Sequence, residues 1–215
     1  MLRSIPLFSD LTDDDIAVIT DLSVDKIVPR GTVILTEGDL GDSLYAIIHG
    51  RVKVFIGDEE GREIILKILG SGDFFGEMSL IDKQPRSASV AAIESTTLKI
   101  VSHNAFQECL IRAPRIATTV MTALAKRLRD ADRKISTLAL MDVYGRVANT
   151  LLELAIESDG KLIVGEKLSQ QEIANMVGAS REMVNRILKD LSERGYISIE
   201  SKQITIHDQK LPPSF

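Results

Sequence analysis

Hydrophobic positions change rhythm along this chain, and each rhythm predicts a different kind of element. Between residues 24 and 101, short β-branched runs alternate with glycine turns: residues 32–35, 43–48, 51–56 and 63–68, broken at Gly31, Gly38, Gly41, Gly50 and between Gly57 and Gly61. Within one run Val52, Val54 and Ile56 alternate with Arg51, Lys53 and Phe55. That period of two marks a half-buried strand. Short strands at such regular spacing predict a closed roll or barrel rather than a parallel sheet. Residues 75–87 interrupt the series, and residues 88–100 return to strand. Ahead of it, residues 1–20 predict a short helical lead-in: Phe8, Ser9, Asp10, Leu11 and Thr12, then the acidic first turn Asp13, Asp14 and Asp15.

The period then becomes helical. Ala117, Met121, Leu124, Leu128, Ala131, Ile135 and Leu138 follow one another at steps of four and three. This is a coiled-coil seam over three heptads, ~32 Å long at ~1.5 Å per residue. A helix lying on its own domain would show a wider apolar stripe. Here Lys126, Arg127, Arg129, Asp130, Asp132, Arg133 and Lys134 crowd the flanks, so the seam predicts a parallel homodimer through residues 117–138. The next step falls on Asp142, an N-cap and hinge residue.

From Asp142 the pattern predicts an amphipathic helix over residues 143–157 and a short strand at 162–164. Ser169 with Glu172 forms a capping box that opens a helix running to Val177. Gly178 and Ala179 turn the chain, and Ser180 caps a second helix that stops at Gly195. Residues 196–199 and 203–206 then form a hairpin. Helix, turn, helix and hairpin in this order make a winged helix-turn-helix.

Composition narrows the chemistry. The single cysteine, Cys109, excludes intramolecular disulfides, structural zinc and a cysteine-held cluster. His49, His103 and His207 are dispersed and offer no metal set. No apolar run reaches a membrane span, and no signal-like segment opens the chain, so a cytoplasmic protein with no membrane partner and no metal is expected. The net charge is −5, and even residues 142–215 carry nine Lys/Arg against eleven Asp/Glu. Binding to a polyanion must therefore depend on the charge of one face rather than on the sum. No nucleophile–base pair or acid–base pair stands out, which disfavours an enzyme.

Two segments carry candidate chemistry. In the first, Gly76 precedes Glu77, Met78 and Ser79 at the start of a helical turn, where free backbone N–H groups cradle an anion. Arg86 adds a planar fork for phosphate oxygens and Ser87 one more hydrogen bond. Glu77 has the wrong charge for phosphate and the right one for a sugar hydroxyl. Together they suit a compact phosphate ester on a ribose, a cyclic nucleotide, better than a triphosphate, which would call for a Lys-bearing loop and a metal. In the second, Arg181, Glu182 and Arg186 lie within about 140° of one another on the helix. An Arg fork reads guanine, and a carboxylate accepts from the cytosine amino group, in the major groove of double-stranded DNA. Ser169, Gln170, Ser180 and Lys189 are further candidates on that surface. A solvated face with a Glu182–Arg186 pair is the plain alternative.

The cassette Gly76, Glu77, Arg86, Ser87 and the helix Arg181, Glu182, Arg186 resemble, in the same order, those of the cyclic-AMP receptor protein (CRP/FNR) family of bacterial transcription regulators. The resemblance implies an α+β chain. Residues 1–113 would be a cyclic-nucleotide-binding β-roll, 114–141 a dimerisation helix, and 142–215 a winged helix-turn-helix DNA-binding domain. It implies an allosteric homodimer that reads a palindromic TGTGA-like site, with RNA polymerase as a further partner. One departure bears on the ligand. The positions matching the family's adenine-holding hydroxyl pair are Ala131 and Asp132. Ala131 cannot hydrogen-bond and Asp132 only accepts. Cyclic AMP is the default ligand, with cyclic GMP, a cyclic dinucleotide or no nucleotide as rivals. A nucleotide-binding regulatory subunit without DNA binding is the remote alternative.

Overall fold

The computed structural model describes residues 12–158, 160–164, 168–200 and 203–207. Of the helical lead-in predicted over residues 1–20, residues 1–11 lie outside them. Contacts divide the chain into two compact units, Met1–Arg129 and Asp130–Phe215.

The first unit opens with α1 (Asp13–Asp21), capped by Thr12, whose hydroxyl and Asp15 exchange the two bonds of a capping box. Five strands follow: β1 (Ser23–Val28), β2 (Val33–Leu35), β3 (Ser43–His49), β4 (Val52–Gly57) and β5 (Glu63–Leu69). Then come β6 (Phe74–Phe75), the short helix α2 (Glu77–Asp82), β7 (Ser89–Ala92) and β8 (Thr96–Ser102). Helices α3 (His103–Arg112) and α4 (Arg115–Leu140) complete the series. The strands form two antiparallel sheets, ordered β1-β8-β3-β6 and β2-β7-β4-β5.

Because successive strand residues face opposite ways, β6 serves two cores with two residues. Phe75 joins Ile47, Leu98, Val52 and Leu69 between the sheets. Phe74 joins Leu44, Val101, Leu80, Phe106, Ile116 and Val120, where the first sheet meets the helices. This alternation sets the start of α2, and with it the cassette. Three details differ from the sequence expectation. Residues 88–100 are two strands, not one, separated at residues 93–95. Helix α3, capped by Ser102, was not expected. Ile56, the third residue of the alternating row, is exposed beside the Gly57–Gly61 turn, where the strand runs out of its core.

In the second unit Asp142 caps α5 (Val143–Glu153), its carboxylate accepting from the Gly145 N–H at 2.8 Å. The helix predicted over 143–157 stops there. Residues of β9 (Ala155–Ser158) turn at Gly160, which takes φ 72°, and pair with β10 (Lys161–Val164). Sheet hydrogen bonds outcompete the extra helical turn that the apolar Ala155 suggested. Helix α6 (Gln170–Val177) has the predicted Ser169–Glu172 capping box, and Gly178 closes it in the left-handed region. Helix α7 (Arg181–Glu193) is capped by Ser180. Strands β11 (Ile197–Glu200) and β12 (Gln203–Ile206) form the wing of a sheet ordered β11-β12-β10-β9.

Two cations hold the C-terminus of α6, where the helix dipole favours positive charge. Lys134 Nζ donates to the Met176 carbonyl at 2.7 Å, and Arg146 Nε to the Val177 carbonyl at 2.9 Å. Burial pulls the Lys134 ammonium below its ordinary pKa. Tyr144, Val147, Leu151, Ile173, Val184, Ile187 and Leu191 form the buried interior that backs α7.

Candidate functional site

The cassette is built around two buried charges. Gly76 takes φ 81° as it ends β6 and caps α2 without a side chain. A Cβ there would lie 2.8 Å from Arg86 Nη1 and 2.9 Å from the Ser43 carbonyl oxygen, so glycine is required for close approach as well as for the turn. On the other side, a Cβ at Gly41 would lie 2.0 Å from Arg86 Nε. Confined between these glycines, Arg86 is only 5% exposed. Its Nη1 donates to the Gly76 carbonyl at 2.6 Å and its Nη2 to the Ser43 carbonyl at 2.9 Å. Nε is buried with no partner.

Glu77 is 2% exposed. Arg127 Nη1 donates to Glu77 Oε1 at 2.7 Å, while Oε2 is buried with no partner. Arg127 also donates to the Phe74 carbonyl and stacks 4.6 Å over the Phe74 ring. A buried carboxylate oxygen without a donor, near a guanidinium with N–H groups to spare, is costly unless something completes it. A ligand carrying both a hydroxyl and an anionic oxygen has that chemistry. Ser87 is exposed, and its hydroxyl lies 3.6 Å from Met78 Sδ. Met78 is half exposed and Ser79 buried. Ser79 lines a polar concavity of about 550 Å³ with Leu40, Gly41, Asp42, Lys83, Gln84 and His103, whose lining includes neither Glu77 nor Arg86.

The structure thus brings Gly76, Glu77 and Arg86 together, and it adds Arg127, Gly41 and Ser43. Sequence reasoning had placed Arg127 only among the charges flanking the seam. Ala131 and Asp132 belong to the second unit, and both are exposed on α4. Beside them Asp130 pairs with Arg133 at 3.4 Å.

On α7, Arg181, Glu182 and Arg186 are all exposed, whereas Val184, Ile187, Leu188 and Leu191 are buried. No ion pair joins Glu182 to Arg186 among the described residues. Glu182 turns instead to the helix start, where its own backbone N–H and the Ser180 hydroxyl hold its carboxyl below the ordinary range. Ser180 and Ser169 both spend their hydroxyls on caps: Ser180 accepts from the Met183 N–H, and Ser169 is bonded twice to Glu172. Lys189 is exposed and pairs with Glu193 at 3.6 Å. A residue absent from the sequence expectation also stands on this face. Asn185 Oδ1 accepts from Gln170 Nε2 at 2.8 Å, linking α6 to α7. A cavity of about 520 Å³ lies between α6, α7 and the wing, lined by Ser169, Gln170, Arg181, Ile199 and Ile204 among others.

Among the described residues there is no group of three metal-ligating side chains, and no helix is long and apolar enough to cross a membrane. The cyclic nucleotide-binding domain family matches residues 25–113, and the Crp-like helix-turn-helix domain family matches residues 145–211. The CRP-like cAMP-activated global transcriptional regulator of Mycobacterium tuberculosis is 38% identical, over 95% of this chain and 93% of its own. The cyclic AMP receptor protein of Thermus thermophilus is 33% identical, over 98% and 96%. Among solved structures, the c-di-GMP responsive global regulator CLP of Xanthomonas campestris superposes with a TM-score of 0.80 at 32% identity, covering 90% of this chain and 98% of that one. Two family matches in this order, with relatives spanning nearly the whole length, show that the chain belongs to the CRP/FNR family: it is a DNA-binding, cyclic-nucleotide-responsive transcription regulator and not an enzyme.

Proposed function

We propose that the protein acts as a homodimer, gated by cyclic AMP, that binds a palindromic TGTGA-like DNA site in the cytoplasm and engages RNA polymerase there. One observation carries the ligand part: Glu77 is buried with one oxygen held by Arg127 and the other unpartnered, beside an Arg86 whose Nε is also unpartnered. Two of the five guanidinium N–H groups of Arg86 are committed to carbonyls, which leaves three for a phosphate. Glu77 Oε2 would accept from the ribose hydroxyl, and the N–H groups of Glu77, Met78 and Ser79, with Ser87, would complete the phosphate shell. Cyclic AMP is favoured by the activity named for the Mycobacterium and Thermus relatives.

The second reading is a guanine-bearing ligand, cyclic GMP or a cyclic dinucleotide. Asp132 favours it, because a carboxylate matches the paired N1–H and N2–H donors of guanine, whereas Ala131 offers nothing to adenine. The c-di-GMP responsive relative points the same way.

In the dimer, residues 114–141 join the two domains. The ligand would act by binding the DNA-competent arrangement more tightly than the alternative, through the hinge at residues 138–142. A coupling of ~1–3 kcal/mol would change DNA affinity about 5- to 150-fold. On DNA, Arg181, Glu182 and Arg186 read bases. Ser169, Gln170 and Ser180 lie toward the backbone, and Lys189 adds charge. Calorimetric titration of the full chain with cyclic AMP, cyclic GMP and cyclic di-GMP tests this. Heat with cyclic AMP, and tighter retention of a TGTGA palindrome in its presence, is the expected result. Heat only with a guanine nucleotide selects the second reading, and heat with none of them overturns both.

A further inference from the structure

We infer that the cavity between α6, α7 and the wing is a binding site for a fatty carboxylate, with the carboxyl group on Arg181 and the chain among Leu168, Ile173, Leu188, Ile199 and Ile204, and that the bound acid competes with DNA. The site itself involves no assumption about DNA. Only the competition rests on the reading that Arg181 faces DNA.

The cavity follows from the way three elements diverge. On the wing, Ile197 pairs with Ile206 and Ile199 with Ile204, so the four side chains share one face of the hairpin. Ile197, Ile204 and Ile206 are covered, but Ile199 is 43% exposed, because the apolar row outruns the core beneath it. On α7, Arg181 stands seven residues before Leu188, two turns away and in phase with it to about 20°. Both therefore line the cavity, and the buried Leu168 and Ile173 form its floor. At about 520 Å³ it has the size of a small-molecule site, and such sites are mostly apolar with a few polar groups that fix orientation.

The polar groups of the lining decide which ligand fits. Ser169, Gln170 and Gln171 border the cavity, but each side chain is already committed. The Ser169 hydroxyl bonds to Glu172, the Gln170 amide to Asn185 and the Gln171 amide to Asn175. Arg181 is the one charged side chain of the lining, and it forms no salt bridge among the described residues. Glu182 beside it turns to its own N–H and the Ser180 hydroxyl, and the pull of Arg181 is the weakest of the influences on that carboxylate. A guanidinium fork at the edge of an apolar cavity matches a carboxylate, which accepts two parallel N–H bonds, on an apolar body. A DNA phosphate would satisfy the cation and leave the wall at Ile199 unused. A neutral hydrocarbon would cover the wall and leave the cation unpaired. A fatty acid satisfies both, since its chain gains from leaving water. Held there, it withdraws Arg181 from DNA, so the protein has a second effector input, opposite in sign to the nucleotide.

Isothermal titration of the full chain with decanoate, below its micellar concentration, tests the site. Decanol, which lacks the charge, and acetate, which lacks the chain, are run in parallel. Wild type should bind one decanoate per chain, decanol roughly 10- to 100-fold more weakly, and acetate without measurable heat. Arg181→Ala should weaken decanoate by the same factor. Ile199→Trp, made at an exposed position, should fill the cavity and abolish binding with Arg181 intact. Circular dichroism checks folding; should Ile199→Trp fail to fold, Ile199→Asp, which sets a like charge at the mouth, replaces it. Decanoate should also raise the apparent Kd for DNA in wild type and not in the Ile199 variant, with nucleotide binding unchanged. Equal decanoate affinity in wild type and both variants would place the chain elsewhere, for instance on the exposed seam of α4, and overturn the inference; so would a wild type that binds none. Decanoate bound at this site without effect on DNA overturns the competition. If wild type retains no DNA with any nucleotide, the DNA-site reading falls, and the titration still decides the cavity.

Discussion

At the scale of single residues, Arg86 has a structural role beside the one proposed for it. Its type and place in the sequence point to a phosphate fork. In the structure the guanidinium also ties the Gly76 and Ser43 carbonyls together in a slot that only glycines at 41 and 76 leave open. Substitution therefore cannot be silent for the fold, although sequence alone treats the fork as free for the anion. Arg86→Leu removes the side-chain donors to two part-buried carbonyls, at a cost of about 0.5–1.5 kcal/mol each. In the proposed binding mode it would also remove a charge-assisted bond to the phosphate, which contributes ~1.5–3 kcal/mol. Scanning calorimetry of the nucleotide-free variant should give a Tm lower by roughly 5–15 °C, and isothermal titration should give no measurable binding. An unchanged Tm together with binding within threefold of wild type would remove Arg86 from the site.

At the scale of elements, the contrast between what was legible and what was not follows sequence distance. The Asp142, Ser169–Glu172 and Ser180 caps were all legible, because a cap joins residues three apart. The Arg127–Glu77 pair was not, since it spans 50 residues and Arg127 sits among six other charges flanking the seam. Strand β9 was hidden for a different reason: its partner β10 is close in sequence, but Ala155 also continues the apolar pattern of α5, and the strand exists only through its pairing. A second long-range contact, between α5 and α7, yields a prediction. The Tyr144 hydroxyl donates to Asp190 Oδ2 at 2.9 Å, and burial together with this carboxylate pushes the phenol up to about 12. A folded-state pKa above the ordinary value near 10 means that the folded protein keeps a proton the unfolded chain gives up. The Tyr144 contribution is thus complete below pH 10 and is lost as pH rises toward 12. Lys134, depressed by burial, has the opposite sign: its cost is relieved as pH rises. Comparing wild type with Tyr144→Phe isolates the tyrosine term. The variant should be weaker by about 1.5–3 kcal/mol at neutral pH and should lose less stability between pH 10 and 12. Parallel stability curves across that window would show that the hydroxyl does not couple α5 to α7 through its proton.

At the scale of the whole molecule, the proposed homodimer rests on the seam of α4. The 4-3 spacing was legible without any structure, and the structure adds which of its residues have no cover within one chain. Leu124 packs against the core of the first unit, where Val120 and Ile116 are buried. Leu128 and Ile135 remain 66% and 64% exposed, and Met121 and Leu138 are exposed beside them. Apolar side chains of this size, repeating at coiled-coil intervals, are uncovered in one chain and would be buried by a second copy of the same helix. Leu128 is the informative position, because its exposure makes an arginine there harmless to the fold of one chain. In a parallel pair, Leu128→Arg would set two like charges opposite each other across a dry seam. Desolvating them costs several kcal/mol, more than one heptad layer offsets. Sedimentation at micromolar concentration should then show monomers with the thermal stability of each folded unit retained. Such monomers should bind a half-site weakly or not at all, because the two recognition helices no longer act together. An unperturbed dimer would mean that the exposed layer at Leu128 is not the interface, and that the copies join elsewhere.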